Sequence, residues 1–182
     1  LTSTTGGPSL EAPWGLGVIN SDSGYRFQKE KGLELDESHC VKKQDYWSVL
    51  MNVKLDKVDG YRSLMTSNLW KGNGPAVLDG TFVVKPTALT CLEPIRTGYY
   101  YKYGVTRTKD DQVTLYLNGY PCMTAKPTSS KGFELELENL IFFRGMMGES
   151  SPGYVKQIQV WQKTLNAKEM LSASECKLPQ ES

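Results

Sequence analysis

GYYYKYGVTRTKDDQVTLYLNGYPC, residues 98–122, decides how the rest of the chain is read. Residues 99–107 are rich in aromatic and β-branched side chains, Lys109, Asp110 and Asp111 interrupt them, and residues 112–118 resume the pattern. This predicts two strands joined by a tight polar turn. In the second arm Val113, Leu115 and Leu117 fall on one face and Thr114, Tyr116 and Asn118 on the other, so the period is two and one side is buried. Asn118-Gly119 ends that strand with residues that tolerate positive φ.

Working outward toward the N-terminus, residues 86–94 read as a link, and residues 76–85 as an apolar stretch folded back at Asp79-Gly80, a hairpin turn. Residues 68–75 form a Gly/Asn loop carrying Trp70. Residues 46–55 alternate cleanly, with Trp47, Val49, Met51, Val53 and Leu55 on one side and Ser48, Asn52 and Lys54 on the other; they predict a central strand that turns at 56–60 into residues 61–67. Residues 24–35 hold two short strands, GYRF and GLEL, around a charged turn at 28–31, and residues 1–13 form a Ser/Thr/Gly/Pro-rich arm before the first strand. Toward the C-terminus a Pro/Ser/Lys-rich loop leads to a strand over 133–143, a Gly/Met loop, and a strand over 154–162. Only the end looks helical: Asn166 and Glu169 make a capping box, and Met170 and Leu171 supply a short apolar face.

Many evenly spaced strands and one terminal helix describe an all-β fold, an antiparallel β-sandwich of jelly-roll type with about thirteen strands or fewer. No repeat or linker divides it, so residues 1–23 are expected to be an arm and first strand, and residues 24–182 a single domain.

The run VTRTKDDQVTLYLNG resembles the strand-turn-strand signature of laminin G-like and concanavalin A-like lectin/glucanase domains. GYVKQIQVWQKTLNAKEM is similar to the closing strand and helix of that family, with Gly153, Val155, Ile158, Val160, Trp161, Leu165 and Glu169 on matching positions. GYRF with GLEL near Tyr25, YWSVLMNVKL near Trp47 and YRSLMTSN near Tyr61 follow the family's order, so the resemblance runs from about Gly24 to Met170. It implies the concanavalin A-like jelly roll. It does not by itself choose among lectins, adhesion modules, glycanases and spacers, because one fold hosts many functions.

Composition narrows the choice. The chain has 182 residues, is 39% hydrophobic and carries a formal net charge of +1, with no run of Lys and Arg. A near-neutral chain lacks the long-range field that nucleic-acid or anionic-membrane binding uses. Its apolar runs, such as 47–53 and 140–143, are far shorter than the roughly 20 residues that cross a bilayer. The expectation is a soluble domain with no nucleic-acid partner and no membrane insertion. The start at Leu1, with no signal peptide, suggests a processed chain or a piece of a longer one.

Cys40, Cys91, Cys122 and Cys176 have no zinc-like spacing. An even number in a β-rich chain suits two disulfides in an oxidising compartment; of three connectivities, Cys40 with Cys176 and Cys91 with Cys122 is preferred, and buried reduced thiols are the alternative. No N-x-S/T sequon supports secretion, so an extracytoplasmic location stands beside an organelle lumen.

Glycanases share this architecture, and retaining ones need two carboxylates about 5 Å apart. Glu134, Glu136 and Glu138 share one face of a strand and resemble the E-x-D-x-E strand of laminarinase-type relatives, but Glu136 stands where the family uses Asp, the strand is late in the chain and no aromatic platform brackets it. An outer strand with solvated glutamates, which discourage edge pairing, is the preferred reading. His39 reads as a loop residue, and the glycines at 72–74 and 145–148 as turns without phosphate-loop context. The family also implies calcium held by rim-loop oxygens. Here Lys156-Gln157 replaces the family's acidic pair before the last strand, Arg144-Gly145 follows Phe143, and Asp110-Asp111 reads as a solvated turn, so no cofactor or metal is expected.

Binding is what remains. Ten tyrosines and four tryptophans can supply aromatic faces for sugar rings, with a few polar groups to fix hydroxyls. Trp47 and Trp161 are assigned to the core. Trp70, Asn73 and Asp79 lie in or beside one loop region, and Tyr100 and Tyr116 share a sheet face; these are the candidate ligand residues. Arg144 and the Met146-Met147 pair are candidates for a protein interface. The expected function is a non-catalytic recognition module for a glycan or a surface protein. The alternatives are a structural subunit docked in a larger assembly and, more remotely, a glycan hydrolase.

Overall fold

The computed structural model describes residues 2–3, 16–34, 45–67, 73–85, 87, 89–126, 140–145 and 148–175. One sheet has six antiparallel strands in the order β12 (Tyr120–Ala125), β11 (Val113–Leu117), β10 (Tyr100–Arg107), β4 (Trp47–Leu55), β14 (Gly153–Trp161) and β2 (Leu16–Phe27). The predicted hairpin is β10 and β11, and the predicted central strand β4 lies between β10 and β14. Two four-stranded sheets complete the sandwich. One runs β1 (Thr2–Ser3), β3 (Leu33–Glu34), β13 (Ile141–Phe142), β6 (Met65–Thr66); the other runs β5 (Tyr61–Ser63), β7 (Gly74–Leu78), β8 (Thr81–Lys85), β9 (Leu89–Pro94). A single helix, α1 (Ala167–Ser174), follows β14.

The core lies between these layers. Trp47, Val49, Met51, Val53 and Leu55 of β4 point inward and meet Tyr103 and Val105, Val155 and Ile158, and from the facing sheets Phe82, Leu64 and Phe142. Phe82 sets its edge on Tyr103 at 5.0 Å, and Phe27 stacks on Phe143 at 4.3 Å. The two smaller sheets join at Leu64, whose N–H donates to the Pro75 carbonyl and whose carbonyl accepts from Phe143 N–H. That switch breaks the single strand expected over 61–67 into β5 and β6. Asp79-Gly80 and Asn118-Gly119 turn with positive φ at both residues, as two-residue hairpin loops require.

Other expectations change. The described residues contain fourteen strands, more than the thirteen expected. Residues 16–27 form one long strand, which merges the first strand expected before residue 24 with the short GYRF strand. The link over 86–94 contains β9, and the loop after Gly119 begins with β12. Both were hidden for the same reason. β12 is an edge strand, exposed along most of its length, so it has no apolar alternation, and Pro121 is tolerated there because an edge strand leaves N–H groups unused. Leu92 breaks the pattern of β9 by pointing into solvent, 93% exposed. Of the strand expected over 133–143, Ile141–Phe142 is seen as β13; residues 131–139, with Glu134, Glu136 and Glu138, lie outside the described residues, as do His39 and the Gly72 turn.

The second face of β11 is also covered. Tyr116 packs with Leu50, Leu165 and Met170, and Trp161 joins that small cluster half-buried instead of entering the main core. The cause is α1, which lies on the outer face of the six-stranded sheet. Ser48 Oγ accepts from Leu165 N–H and donates to the Lys163 carbonyl, both at 2.8 Å, and Thr164 Oγ1 donates to the Arg107 carbonyl at 2.7 Å, so the approach to the helix is tied onto β4 and β10. Asn166 and Glu169 form the predicted capping box.

Candidate functional site

α1 shelters only one end of the outer face. Beyond it the register sets Tyr100 opposite Lys54, Lys54 opposite Tyr154, and Tyr154 opposite Arg26, a single row crossing β10, β4, β14 and β2. The next row sets Lys102 opposite Asn52 and Asn52 opposite Gln157. Between Val155 and Gln157, β14 carries one extra residue, Lys156. A bulge re-aims its side chain, and Lys156 Nζ stands 4.7 Å from the centre of the Tyr100 ring.

Cations and rings alternate along the row. The Arg26 guanidinium lies 4.7 Å from the Tyr154 ring, Lys54 Nζ lies 4.4 Å from Tyr154 and 5.2 Å from Tyr100, and Lys156 completes the series. Each such contact contributes about 0.5–1 kcal/mol when exposed and more when water is excluded. Arg26 is neutralised by Asp56 at 2.6 Å, and Lys102 Nζ donates to the Ser174 carbonyl at the negative end of α1. Lys54 and Lys156 have no carboxylate partner among the described residues.

Gly24 adopts φ +78, and a Cβ there would meet Tyr100 Oη at 2.6 Å, so the glycine lets the tyrosine lie across the face. Burial, and secondarily the neighbouring Tyr154, raise the Tyr100 hydroxyl above its ordinary range and keep it a neutral donor. In the next row Asn52 Oδ1, and one row further Gln159 Oε1 opposite Leu50, are buried acceptors with no hydrogen-bond partner among the described residues, and Asn52 is only 8% exposed. An acceptor left in this state costs about 1–3 kcal/mol, so two of them on one face call for donors from outside the chain.

The candidate residues read from sequence fall in separate places. Tyr100 and Tyr116 do share a face, but Tyr116 is 5% exposed beneath α1 while Tyr100 lies beyond it. Asp79 sits in the β7–β8 turn and accepts from Gly60 N–H at 2.7 Å, and Asn73 precedes β7 with its carbonyl accepting from Thr66 Oγ1; neither is on the face of Tyr100. Trp70, Met146 and Met147 lie outside the described residues, and Arg144 follows β13 half-buried. Cys91 and Cys122 form the expected disulfide, which ties β9 to β12, while Cys40 and Cys176 lie outside the described residues. Lys156-Gln157 sits within the last strand rather than before it. Lys54, Tyr154, Arg26, Asn52 and Gln159 were missed. Their outward positions are visible as alternation in each strand, but the pairing of β4 with β14 joins residues about a hundred apart in sequence and has no local signal.

The described residues do not fit the calcium that the family implies. The Asp111 carboxylate is engaged by the Arg107 guanidinium, and no group of three or more His, Cys, Asp or Glu side chains gathers among the described residues. A shallow groove of about 370 Å³ at the end of β9, lined by Glu93, Arg96, Tyr99 and Tyr101, is a separate feature.

No protein-family model and no curated protein matches the chain. Solved structures do. The CBM40 of the Ruminococcus gnavus IT-sialidase, bound to α2,3 sialyllactose, aligns with 17% identity over 88% of this chain and 99% of its own, at a TM-score of 0.66. Domain 4 of AbnA, a GH43 extracellular arabinanase from Geobacillus stearothermophilus in complex with arabinotriose, aligns with 12% identity over 86% of this chain and 80% of its own, at 0.63. A heptameric SAP-like pentraxin from Limulus polyphemus aligns with 16% identity over 90% and 83%, at 0.56. The likeness is one of fold: the chain is an all-β, concanavalin A-like jelly-roll sandwich with a short C-terminal helix.

Proposed function

We propose that the chain is a non-catalytic glycan-recognition module of the laminin G-like branch, and that it binds saccharide on the outer face around Tyr100. The observation that carries this reading is the buried amide oxygen of Asn52, without a partner among the described residues, in the row next to the Tyr100 and Tyr154 rings, with Gln159 Oε1 a second such acceptor one row further along the same face. A polyhydroxylated ring offers the donors those oxygens need and apolar C–H groups for the tyrosines. Saccharides bound to two structures of the same fold support the class of ligand. The disulfide supports an extracytoplasmic setting, an organelle lumen being the alternative.

The test is binding of the purified chain to a printed saccharide panel, with Tyr100→Ala and Asn52→Val beside the wild type. Loss of the wild-type signal in both variants is expected. Retention of full binding by both would move the site elsewhere, and a blank wild-type panel would end the reading.

A second reading, docking to a protein partner, rests on the apolar side chains left in solvent on the neighbouring edge strands: Leu92 on β9, and Tyr120 and Met123 on β12. Its readout is loss of a co-purifying partner in Leu92→Asp.

A further inference from the structure

We infer that the ligand of this face is an acidic saccharide, one whose carboxylate or sulfate is held between Lys54 and Lys156. The inference rests on the recognition reading above and adds the ligand's charge. Sugar-binding tyrosines ordinarily offer a bare ring face to the C–H groups of a neutral pyranose. Here the rings are engaged by cations: Tyr154 carries Arg26 and Lys54, and Tyr100 carries Lys54 and Lys156. The face therefore presents, together with the rings, ammonium groups that the rings hold in place. Lysines on solvated stems lose rotamer freedom when they bind, and lysines already fixed over a ring lose less of it.

The charge balance is uneven along the row. Arg26 has Asp56 and Lys102 has the helix terminus, but Lys54 and Lys156 have no counter-charge among the described residues, though both are half-buried and both reach Tyr100. Gathering two unneutralised ammonium groups opposes folding, and an anion between them reverses the sign of that term. The bulge that adds Lys156 to the row has no evident packing role, since its neighbours Val155 and Ile158 keep their places in the core on either side. A bare anion would leave Asn52 Oδ1, in the row next to Lys54, without a donor. A neutral sugar would leave the lysines without a counter-charge. An acidic sugar satisfies both.

The test uses the whole chain on saccharides presented in matched sets: lactose, sialyllactose for the carboxylate, and sulfated lactose for the sulfate, within a panel that pairs other neutral sugars with their acidic forms. Wild type is expected to favour at least one acidic member over its neutral parent, with the preference falling as salt is raised. Lys54→Met and Lys156→Met, which keep the aliphatic stem, are each expected to lower acidic binding about tenfold or more, the effect of losing a charged hydrogen bond, and so to narrow the preference for acidic over neutral members. Lys109→Met, on the far hairpin turn, is the control. The ratio of carboxylate to sulfate binding identifies which acid is used. Equal binding of neutral and acidic members, or an acidic preference that survives both substitutions, overturns the inference and leaves saccharide recognition standing. No binding anywhere overturns both.

Discussion

At the scale of the residue, Asn52 is the most informative position. It sits on the central strand β4, on the side opposite the core, with a buried acceptor that no described residue satisfies. A polar group kept in that state opposes stability, so Asn52→Val is expected to hold or raise the unfolding free energy, by about 1 kcal/mol. Urea unfolding followed by tryptophan fluorescence measures it, and a clear loss of stability would mean that the amide serves the fold. The sequence shows that Asn52 points away from Trp47 and Val53. It cannot show that the strands beside it bring Lys102 and Gln157 to its flanks instead of a donor to its oxygen.

At the scale of the element, α1 divides the outer face into a covered end and an open one. Asn166 holds the first turn by accepting from Glu169 N–H at 2.9 Å, and the Glu169 carboxylate returns the bond to Asn166 N–H. Asn166→Ala is expected to cost about 1 kcal/mol, seen as a lower Tm. That backbone bond first, and Lys163 second, hold the Glu169 carboxyl below its ordinary value of 4.5. A depressed folded value means stabilisation that is present above the unfolded pKa and lost as pH falls through the folded one. The Tm difference between wild type and Glu169→Gln should therefore be full at neutral pH and close progressively below about pH 4.5; a gap that persisted into strong acid would contradict the capping role. This element was fully legible, because a capping box is a local pattern. What it covers was not, since Leu50 and Tyr116 look like the outward side of two separate strands.

At the scale of the whole molecule, the Cys91–Cys122 disulfide joins the edge strand of one layer to the edge of the other across a separation of 31 residues. Closing a loop of that length in the unfolded chain corresponds to about 3–4 kcal/mol of stabilisation. The double variant Cys91→Ala with Cys122→Ala should lose that amount in denaturant unfolding, and added reductant should then have no further effect at this pair. Unchanged stability would mean that the two layers are held by the core alone. The net charge of the chain, +1, gave no hint of a cationic surface, and no stretch of sequence clusters Lys and Arg. The sheet assembles one all the same, by setting Arg26, Lys54 and Lys156 side by side from three strands.

The strand alternation, the turn residues at Asp79-Gly80 and Asn118-Gly119, and the cap at Asn166 are set by interactions within a few residues, so the sequence by itself determined the sandwich, its central strand and hairpin, and its terminal helix. The edge strands β9 and β12, the burial of Tyr116 and the row from Arg26 to Lys156 depend on which distant strand lies alongside, and only the tertiary structure decided them. The physical reason is that a strand fixes which way its side chains point, while long-range pairing fixes whom they meet.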